Sequence, residues 1–321
     1  MVDQTEIRAT RRSVLVSAAV NLVEAVGLAV ASWISGSFAL RAQTADNFAE
    51  LAVGLFLCIG VLSSDRPSDE THPLGYGRER FFWSLFAALG IFIGGAGLAL
   101  EGAIRSALHP SSITSYGVAY LVLSVTIVLD AIALMVALPP LRRQAITHGV
   151  SLRVHLLRNS DPALTTVAVS GGCALIGGFV AAIGLAASEL IGSPTPDTLA
   201  SGLIGLLLLV TSVFLLSTNR ELLIGRGVPA ATLTEMRRIV AEQDGVVKVP
   251  DLFAVFVGPS SVIVNGDVTF AASLSLHGVE NAITQAAIAL RKRWPAIEYV
   301  YLTPVPRARV RRVRRASTKP R

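Results

Sequence analysis

Two carboxylates lie one helical turn apart inside an apolar stretch of the chain. Asp46 and Glu50 belong to the run "SFALRAQTADNFAELAVGLFLCIGVL", whose one further charge is Arg41. Side chains four residues apart share a face of a helix, and like charges at that spacing repel. Either one carboxyl group is therefore protonated, or a cation lies between the two. The pair predicts a cation or proton site, because carboxylate oxygens bind Zn²⁺, Mn²⁺ and related ions. A protonated pair that only packs helices is the alternative.

Two further acids, Glu24 and Asp130, lie singly inside apolar segments. A charged side chain at the centre of a bilayer costs at least about 2.5–3.5 kcal/mol, so such residues usually face a cavity, a partner or an ion. Both are candidates for auxiliary cation ligands. A structural hydrogen bond explains either residue equally well.

The composition indicates that lipid surrounds much of the chain. Of 321 residues, 52% are hydrophobic and 16% are charged, and the mean hydropathy is +0.60. A water-soluble domain usually carries about 25% charged residues. The two cysteines, Cys58 and Cys173, fall in apolar runs and predict no disulfide framework.

Apolar runs long enough to cross a bilayer recur along the first two thirds of the chain. A spanning helix needs about 20 apolar residues. We predict six such helices, at Val14–Ile34, Phe38–Leu62, Phe81–Leu100, Tyr116–Leu138, Ala163–Ala187 and Thr198–Ser217.

The distribution of arginine predicts how these helices are oriented. The N-terminus carries Arg8, Arg11 and Arg12, and the second and fourth connections, "SSDRPSDETHPLGYGRER" and "PPLRRQAITHGVSLRVHLLRNSD", are also basic. The alternate connections hold at most Arg105. Since basic loops stay in the cytoplasm, both termini are predicted to be cytoplasmic.

The composition changes after Leu223, and the chain is predicted to divide at that point. We expect a transmembrane domain over 1–222, a cytoplasmic domain over 223–307 and a basic disordered tail over 308–321. The second domain alternates in the order α-β-β-α-β, which suits helices on one face of an antiparallel sheet. The short basic tail is interpreted as a cytoplasmic end near lipid rather than as a nucleic-acid-binding segment.

Several motifs resemble one family of membrane proteins, the cation diffusion facilitator transporters. They are "GSFALRAQTADNFAELAVGLFL", "RPSDETHPLGYGRERFFWSL", "DPALTTVAVSGGCALIGG" and "GLIGLLLL", and "DETHPLGYGRER" is the most specific. The resemblance covers about residues 12–306. It implies a homodimer in which each protomer has six transmembrane helices and a cytoplasmic ferredoxin-like α+β domain. It also implies efflux of a divalent cation, by default Zn²⁺, in exchange for protons by alternating access.

The resemblance assigns roles to particular residues. Asp46 and Glu50 fall where the family carries the second-helix half of its transport site. Asp69 and His72 fall where some members bind a second metal ion in the cytoplasmic connection. Tyr76 stands where that second site has a further histidine, so a surface-loop role is preferred for the Asp69–His72 pair.

The fifth helix departs from the family pattern. Ser170 and Gly171 stand where carboxylates are expected, and Thr166 with Ser170 offers only neutral hydroxyl groups. Zn²⁺ prefers thiolate, imidazole or carboxylate ligands, so this half of the site is weakened. Glu24 is a candidate replacement, whereas Cys173 lies about 200° around the helix from Gly171 and is interpreted as a packing residue.

The alternative function is a non-transporting structural or regulatory membrane subunit, which the altered fifth helix favours. Retention of costly acids in the membrane argues against that alternative. We expect no enzymatic activity, because the chain has no HExxH motif and no nucleophile–base pair. A bacterial plasma membrane is the expected location, with no resident cofactor beyond the transported ion.

Overall fold

The chain folds into two structural units. The computed structural model describes residues 4–35, 38–108, 116–147, 151–152, 156 and 161–306. Contacts within the chain group residues 3–223 into one unit and the chain from 224 onward into the other. The predicted basic tail, 308–321, lies outside the described residues.

Helices occupy each of the predicted apolar segments of the first unit. The last four of these helices are long and apolar enough to cross a membrane. In the second helix, the apolar part whose side chains are described, Glu50–Ser64, is shorter. Most helices extend beyond the predicted bounds. The bounds are α1 Gln4–Ser35, α2 Phe38–Ser64, α3 Glu79–Leu108, α4 Tyr116–Thr147, α5 Pro162–Ile191 and α6 Thr195–Ile224.

The predicted end of α4 at Leu138 is wrong, because the helix continues through Pro139 and Pro140 to Thr147. A proline has no N–H, so Pro140 leaves the carbonyl oxygen four residues earlier without its usual helical donor. The hydroxyl group of Ser13 on α1 lies 3.2 Å from that oxygen, on Val136, and 3.0 Å from the Ala9 carbonyl oxygen of its own helix, so its single hydrogen is shared between the two. The neighbouring helix therefore offers a donor to the oxygen that the proline leaves without one.

Helix α3 contains a π-helical turn, Ile91–Gly97, between α-helical parts Glu79–Gly90 and Leu98–Leu108. The sequence "IFIGGAG" supplies three glycines, which adopt altered backbone geometry at little steric cost. Gly90 also permits close packing, since a Cβ atom there would lie 2.9 Å from Val53 Cγ2 on α2.

The first unit has an apolar interior and an apolar exterior. Its core joins residues of several helices, including Val14, Leu57, Leu141 and Leu164. Large apolar side chains also face outward, among them Leu121, Ile183 and Leu206 of α4, α5 and α6. Continuous apolar exteriors of this kind are typical of proteins surrounded by lipid.

The second unit is a small α+β domain with a mixed sheet. Its elements are α7 Ala230–Ala241, β1 Val246–Gly258, β2 Ser261–Phe270, α8 Leu276–Arg293 and β3 Ile297–Pro304. Strand β2 pairs antiparallel with β1 and parallel with β3, in the order β1-β2-β3. The expected all-antiparallel sheet is therefore wrong. Helix α8 crosses over between β2 and β3, and such a crossover returns the chain in the parallel direction.

The helices of this domain cover the sheet with apolar side chains. Met236 and Val240 of α7 and Ala286 and Leu290 of α8 belong to one core with alternate residues of the three strands. His277 lies in the first turn of α8, which Ser275 caps.

Candidate cation site

The predicted acid pair lies on α2, next to α1. Asp46 occupies the helix one turn before Glu50, and its side chain lies outside the described part of the chain. The Glu50 side chain is exposed. The Nδ2 atom of Asn21 on α1 donates to the Glu50 carbonyl oxygen across 3.2 Å, so α1 and α2 are joined at this level.

Glu24 on α1 presents a buried carboxylate toward this region. The residue is 7% exposed, and its Oε1 atom has no hydrogen-bond partner among the described residues. Glu50 of α2 and Asp130 of α4 are close enough for their charges to act on Glu24. Acids of α2 and α4 therefore come within electrostatic range of Glu24 on α1, although the residues are far apart in sequence.

These three acids do not form a compact metal centre by themselves. Within the described ranges, no group of three His, Cys, Asp or Glu side chains lies close enough to hold a metal ion. The Asp46 side chain is not among the described side chains to which this statement applies.

The fifth-helix residues offer neutral oxygen atoms. The Ser170 hydroxyl group donates to the Val167 carbonyl oxygen across 3.4 Å within α5. Thr166 is fully buried, and its Oγ1 atom has no partner among the described residues. Cys173 Sγ lies 2.8 Å from Thr211 Oγ1 on α6, which places this thiol between α5 and α6.

The loop pair Asp69 and His72 is occupied by hydrogen bonds within the loop. Asp69 Oδ1 accepts from the backbone N–H groups of Thr71 and His72, at 2.9 and 2.7 Å, and from the Thr71 hydroxyl group. Asp69 Oδ2 accepts from the Tyr76 hydroxyl group across 2.7 Å. These donors, with the Tyr76 hydroxyl group first, hold the pKa of Asp69 well below its usual range. The carboxylate thus already has the partners that a metal ion would have to displace.

Sequence reasoning missed a buried ion-pair network centred on Arg80. Its guanidinium group donates to Asp65 Oδ1 across 3.1 Å, to Asp161 Oδ2 across 3.3 Å and to the Ser64 hydroxyl oxygen across 3.0 Å. Asp161 Oδ2 also accepts from the Thr10 hydroxyl group across 2.8 Å. We refer to these residues, Thr10, Ser64, Asp65, Arg80 and Asp161, as the Arg80 network.

Two sequence signals point to this network. In "GRERFFWSL", Arg80 enters an apolar helix, where an isolated cation needs a partner. In "DPAL", Asp161 precedes a proline, which is the usual order of a capping residue and the first helical residue. Asp161 indeed caps α5 by accepting from the Leu164 N–H across 3.4 Å.

Comparison with known proteins agrees with this architecture. The cation efflux transmembrane domain family matches residues 14–224. Metal tolerance protein C4 of Arabidopsis thaliana is 29% identical over 238 residues, which are 74% of this chain and 52% of that protein.

Animal proteins give similar matches. The mitochondrial proton-coupled zinc antiporter SLC30A9 is 30% identical in Xenopus laevis and 29% identical in Homo sapiens, each over 240 residues. Those residues are 74% of this chain and 43% and 42% of the two relatives, so the chain spans about half the length of the proteins it matches. The family match covers well over half of the chain. The chain is therefore an integral membrane protein of the cation diffusion facilitator family.

Proposed function

We propose that this protein moves a divalent cation out of the cytoplasm in exchange for protons, by alternating access, with Zn²⁺ as the default ion. One observation carries the proposal: Glu24 is buried within electrostatic range of Glu50 and Asp130, inside the domain that matches the family. Isolated acids within membrane helices are costly unless an ion or proton uses them. Relatives named as proton-coupled zinc antiporters support the exchange.

In this mechanism Asp46 and Glu50 bind the cation, and they release protons as it arrives. Like charges one turn apart cannot both stay ionised in a poorly hydrated site without a cation. Binding of the cation therefore expels protons, and protons arriving from the other side expel the cation. This competition couples the two fluxes without any covalent step.

Glu24 and Asp130 are proposed as auxiliary acids. The fifth helix offers Ser170 where the family carries carboxylates, so the charge of α1 and α4 would replace the charge that α5 lacks. A hydroxyl oxygen such as that of Ser170 is a weak ligand for Zn²⁺ and a more acceptable one for Mg²⁺ or Mn²⁺. The pair Asp69 and His72 is assigned to loop structure, because its carboxylate oxygens are already bonded.

Six transmembrane helices, cytoplasmic termini and a homodimer complete the proposal. The positions of Thr10, Asp65, Arg80 and Asp161 support the topology. The arginine distribution predicts that these four sites of the chain lie on the cytoplasmic side, and the structure brings them into contact. The location is proposed to be a bacterial plasma membrane, on the basis of the short connections alone.

The test is ion flux into proteoliposomes under an imposed proton gradient, with Zn²⁺, Mn²⁺, Fe²⁺, Co²⁺ and Cd²⁺ measured separately. We expect flux of at least one ion and its collapse when the proton gradient is removed. Protein that is folded and dimeric but carries none of these ions would overturn the proposal. That result would favour the non-transporting subunit, which the altered fifth helix supports.

A further inference from the structure

The Arg80 network joins four helices at one end of the membrane domain. Thr10 belongs to α1, Ser64 is the last residue of α2, Arg80 lies in the first turn of α3 and Asp161 is the N-cap of α5. Asp161 Oδ2 is shared between Thr10 and Arg80, while its Oδ1 caps α5. One carboxyl group thus fixes the start of α5 to both α1 and α3.

The two acidic partners of Arg80 differ in burial. The side chains of Arg80 and Asp161 are 4% and 10% exposed, whereas that of Asp65 is 35% exposed. Asp65 directly follows α2, so its bond to Arg80 stays within the α2–α3 connection. The bond to Asp161 instead crosses from α3 to α5. If α5 moves away, Asp65 and Ser64 still hold the guanidinium group, and the half-exposed Asp65 gives it contact with water.

The network lies between the predicted cytoplasm and the acid pair. Ser64 follows Glu50 by 14 residues, which is about 21 Å of helix at 1.5 Å per residue. A cation that enters between α2 and α5 from the cytoplasm passes the end of α2 and the start of α5. In this structure Arg80 joins those two ends.

We propose that the Arg80–Asp161 ion pair is the cytoplasmic gate of the transport pathway, closed in this structure. Opening breaks the bond between Arg80 and Asp161 and separates α5 from the α2–α3 pair, while Asp65 and Ser64 retain Arg80. Arg80 and Asp161 act as positioning residues, because they control access to the acid pair without binding the cation. The inference rests on the proposed function, since a gate requires a pathway.

The native cysteines provide a reporter that does not depend on transport. Cys58 is partly buried on α2, six residues before Ser64, and replacing Cys173 with alanine leaves it as the single thiol. A membrane-impermeant maleimide is applied, without metal, to sealed vesicles of either orientation. The variants are Asp161→Asn, which removes the charge that crosses to α5, and the matched control Asp65→Asn, which removes the charge that stays with Arg80.

We expect Asp161→Asn to speed labelling of Cys58 from the cytoplasmic face by about tenfold, within the usual range for coupled sites. Labelling from the opposite face should not rise, and Asp65→Asn should change either rate by less than about twofold. Arg80→Met should speed labelling of Cys58 from the cytoplasmic face as Asp161→Asn does. Arg80→Lys keeps the positive charge, so its labelling should stay as slow as in the wild-type protein. Unchanged labelling in Asp161→Asn, or an equal rise from both faces, would overturn the gate. Because no ion is present, this result is independent of the flux that tests the proposed function.

Discussion

Removal of Asp161 should destabilise the membrane domain far more than removal of Asp65, although both bind the same arginine. Deleting one partner of a buried ion pair costs about 3–5 kcal/mol when the other charge is left unpaired, and the cost here is lower, about 2 kcal/mol, because Asp65 still pairs with Arg80. Asp161→Ala also removes the cap of α5, which contributes about 1 kcal/mol. A partly exposed pair such as Arg80–Asp65 contributes at most about 1 kcal/mol. The two alanine variants should therefore differ by about 2 kcal/mol.

A double-mutant cycle isolates the pair itself. Asp161→Asn keeps a capping oxygen, and Arg80→Met keeps most of the side-chain volume, so the coupling between them reports the charge interaction. We expect a coupling energy of about 2 kcal/mol, within the range found for contacting residues. The corresponding cycle for Arg80 and Asp65 should give less than about 1 kcal/mol.

Unfolding in mixed detergent micelles, followed by tryptophan fluorescence, measures these free energies. Trp83 stacks on Phe56 with ring centroids 5.8 Å apart, so its emission reports separation of α3 from α2. Trp33 of α1 and Trp294 of the second unit are replaced by phenylalanine to remove their signals. Equal costs for the two alanine variants, or no coupling between Arg80 and Asp161, would refute the claim that the buried bond to α5 dominates the network.

Two further predictions concern helix packing and the α2–α3 loop. Gly60→Ala should destabilise the domain by about 1–3 kcal/mol in the same assay, because the new Cβ atom would lie 2.8 Å from Trp83 Cβ. Gly102→Ala, which meets nothing within 4 Å, should stabilise by about 0.5–1 kcal/mol, and the reverse order would contradict this packing. Tyr76→Phe should raise the pKa of Asp69 toward 3.8, since the hydroxyl group of Tyr76 is the largest cause of its lowering. Because the pKa of Asp69 is lowered in the folded loop, its carboxylate stabilises the loop above pH 3.8, and this stabilisation is lost as the pH falls through the folded-state pKa. The variant has the higher folded-state pKa, so on acidification its loop should open at a higher pH than the wild-type loop does. The carboxyl ¹³C chemical shift of labelled Asp69, followed as the pH is lowered, measures both its pKa and the pH at which the loop opens. An Asp69 pKa that is the same in the wild-type protein and in Tyr76→Phe would contradict the hydrogen bonds described for the loop.

Local sequence patterns predicted the elements well where one physical rule dominated. Apolar runs of spanning length located the helices of the first unit, and the predicted α-β-β-α-β order of the second domain is the order of α7, β1, β2, α8 and β3. Resemblance to a family identified the membrane fold, which the family match over residues 14–224 confirms.

The errors arose where distant parts of the chain determine local structure. The predicted helix ended at Leu138, but the helix continues through Pro139 and Pro140, where Ser13, more than 100 residues away, offers a donor to the freed Val136 carbonyl oxygen. The parallel pairing of β3 depends on a crossover through α8 that single-strand patterns do not contain. Likewise, no spacing rule relates Arg80 to Asp161, because their contact exists only after α3 and α5 pack together.

The convergence of Glu24, Glu50 and Asp130 shows the same limit for the site. Each acid was recognisable by its cost in a membrane, but no spacing along the chain indicated that the charges of the other two act on Glu24. The burial of Glu24 within electrostatic range of Glu50 and Asp130 became visible only in the folded chain.

The measurement that tests the central claim most directly is proton-driven Zn²⁺ flux in proteoliposomes that contain Asp46→Asn, Glu50→Gln or Glu24→Gln. Glu101→Gln is the matched control, because that exposed acid on α3 pairs with Arg105. The proposed mechanism predicts loss of flux in the Asp46 and Glu50 variants, a clear reduction in the Glu24 variant and wild-type flux in the control. Zn²⁺ flux that survives in both Asp46→Asn and Glu50→Gln would contradict the assignment of this acid pair as the transport site.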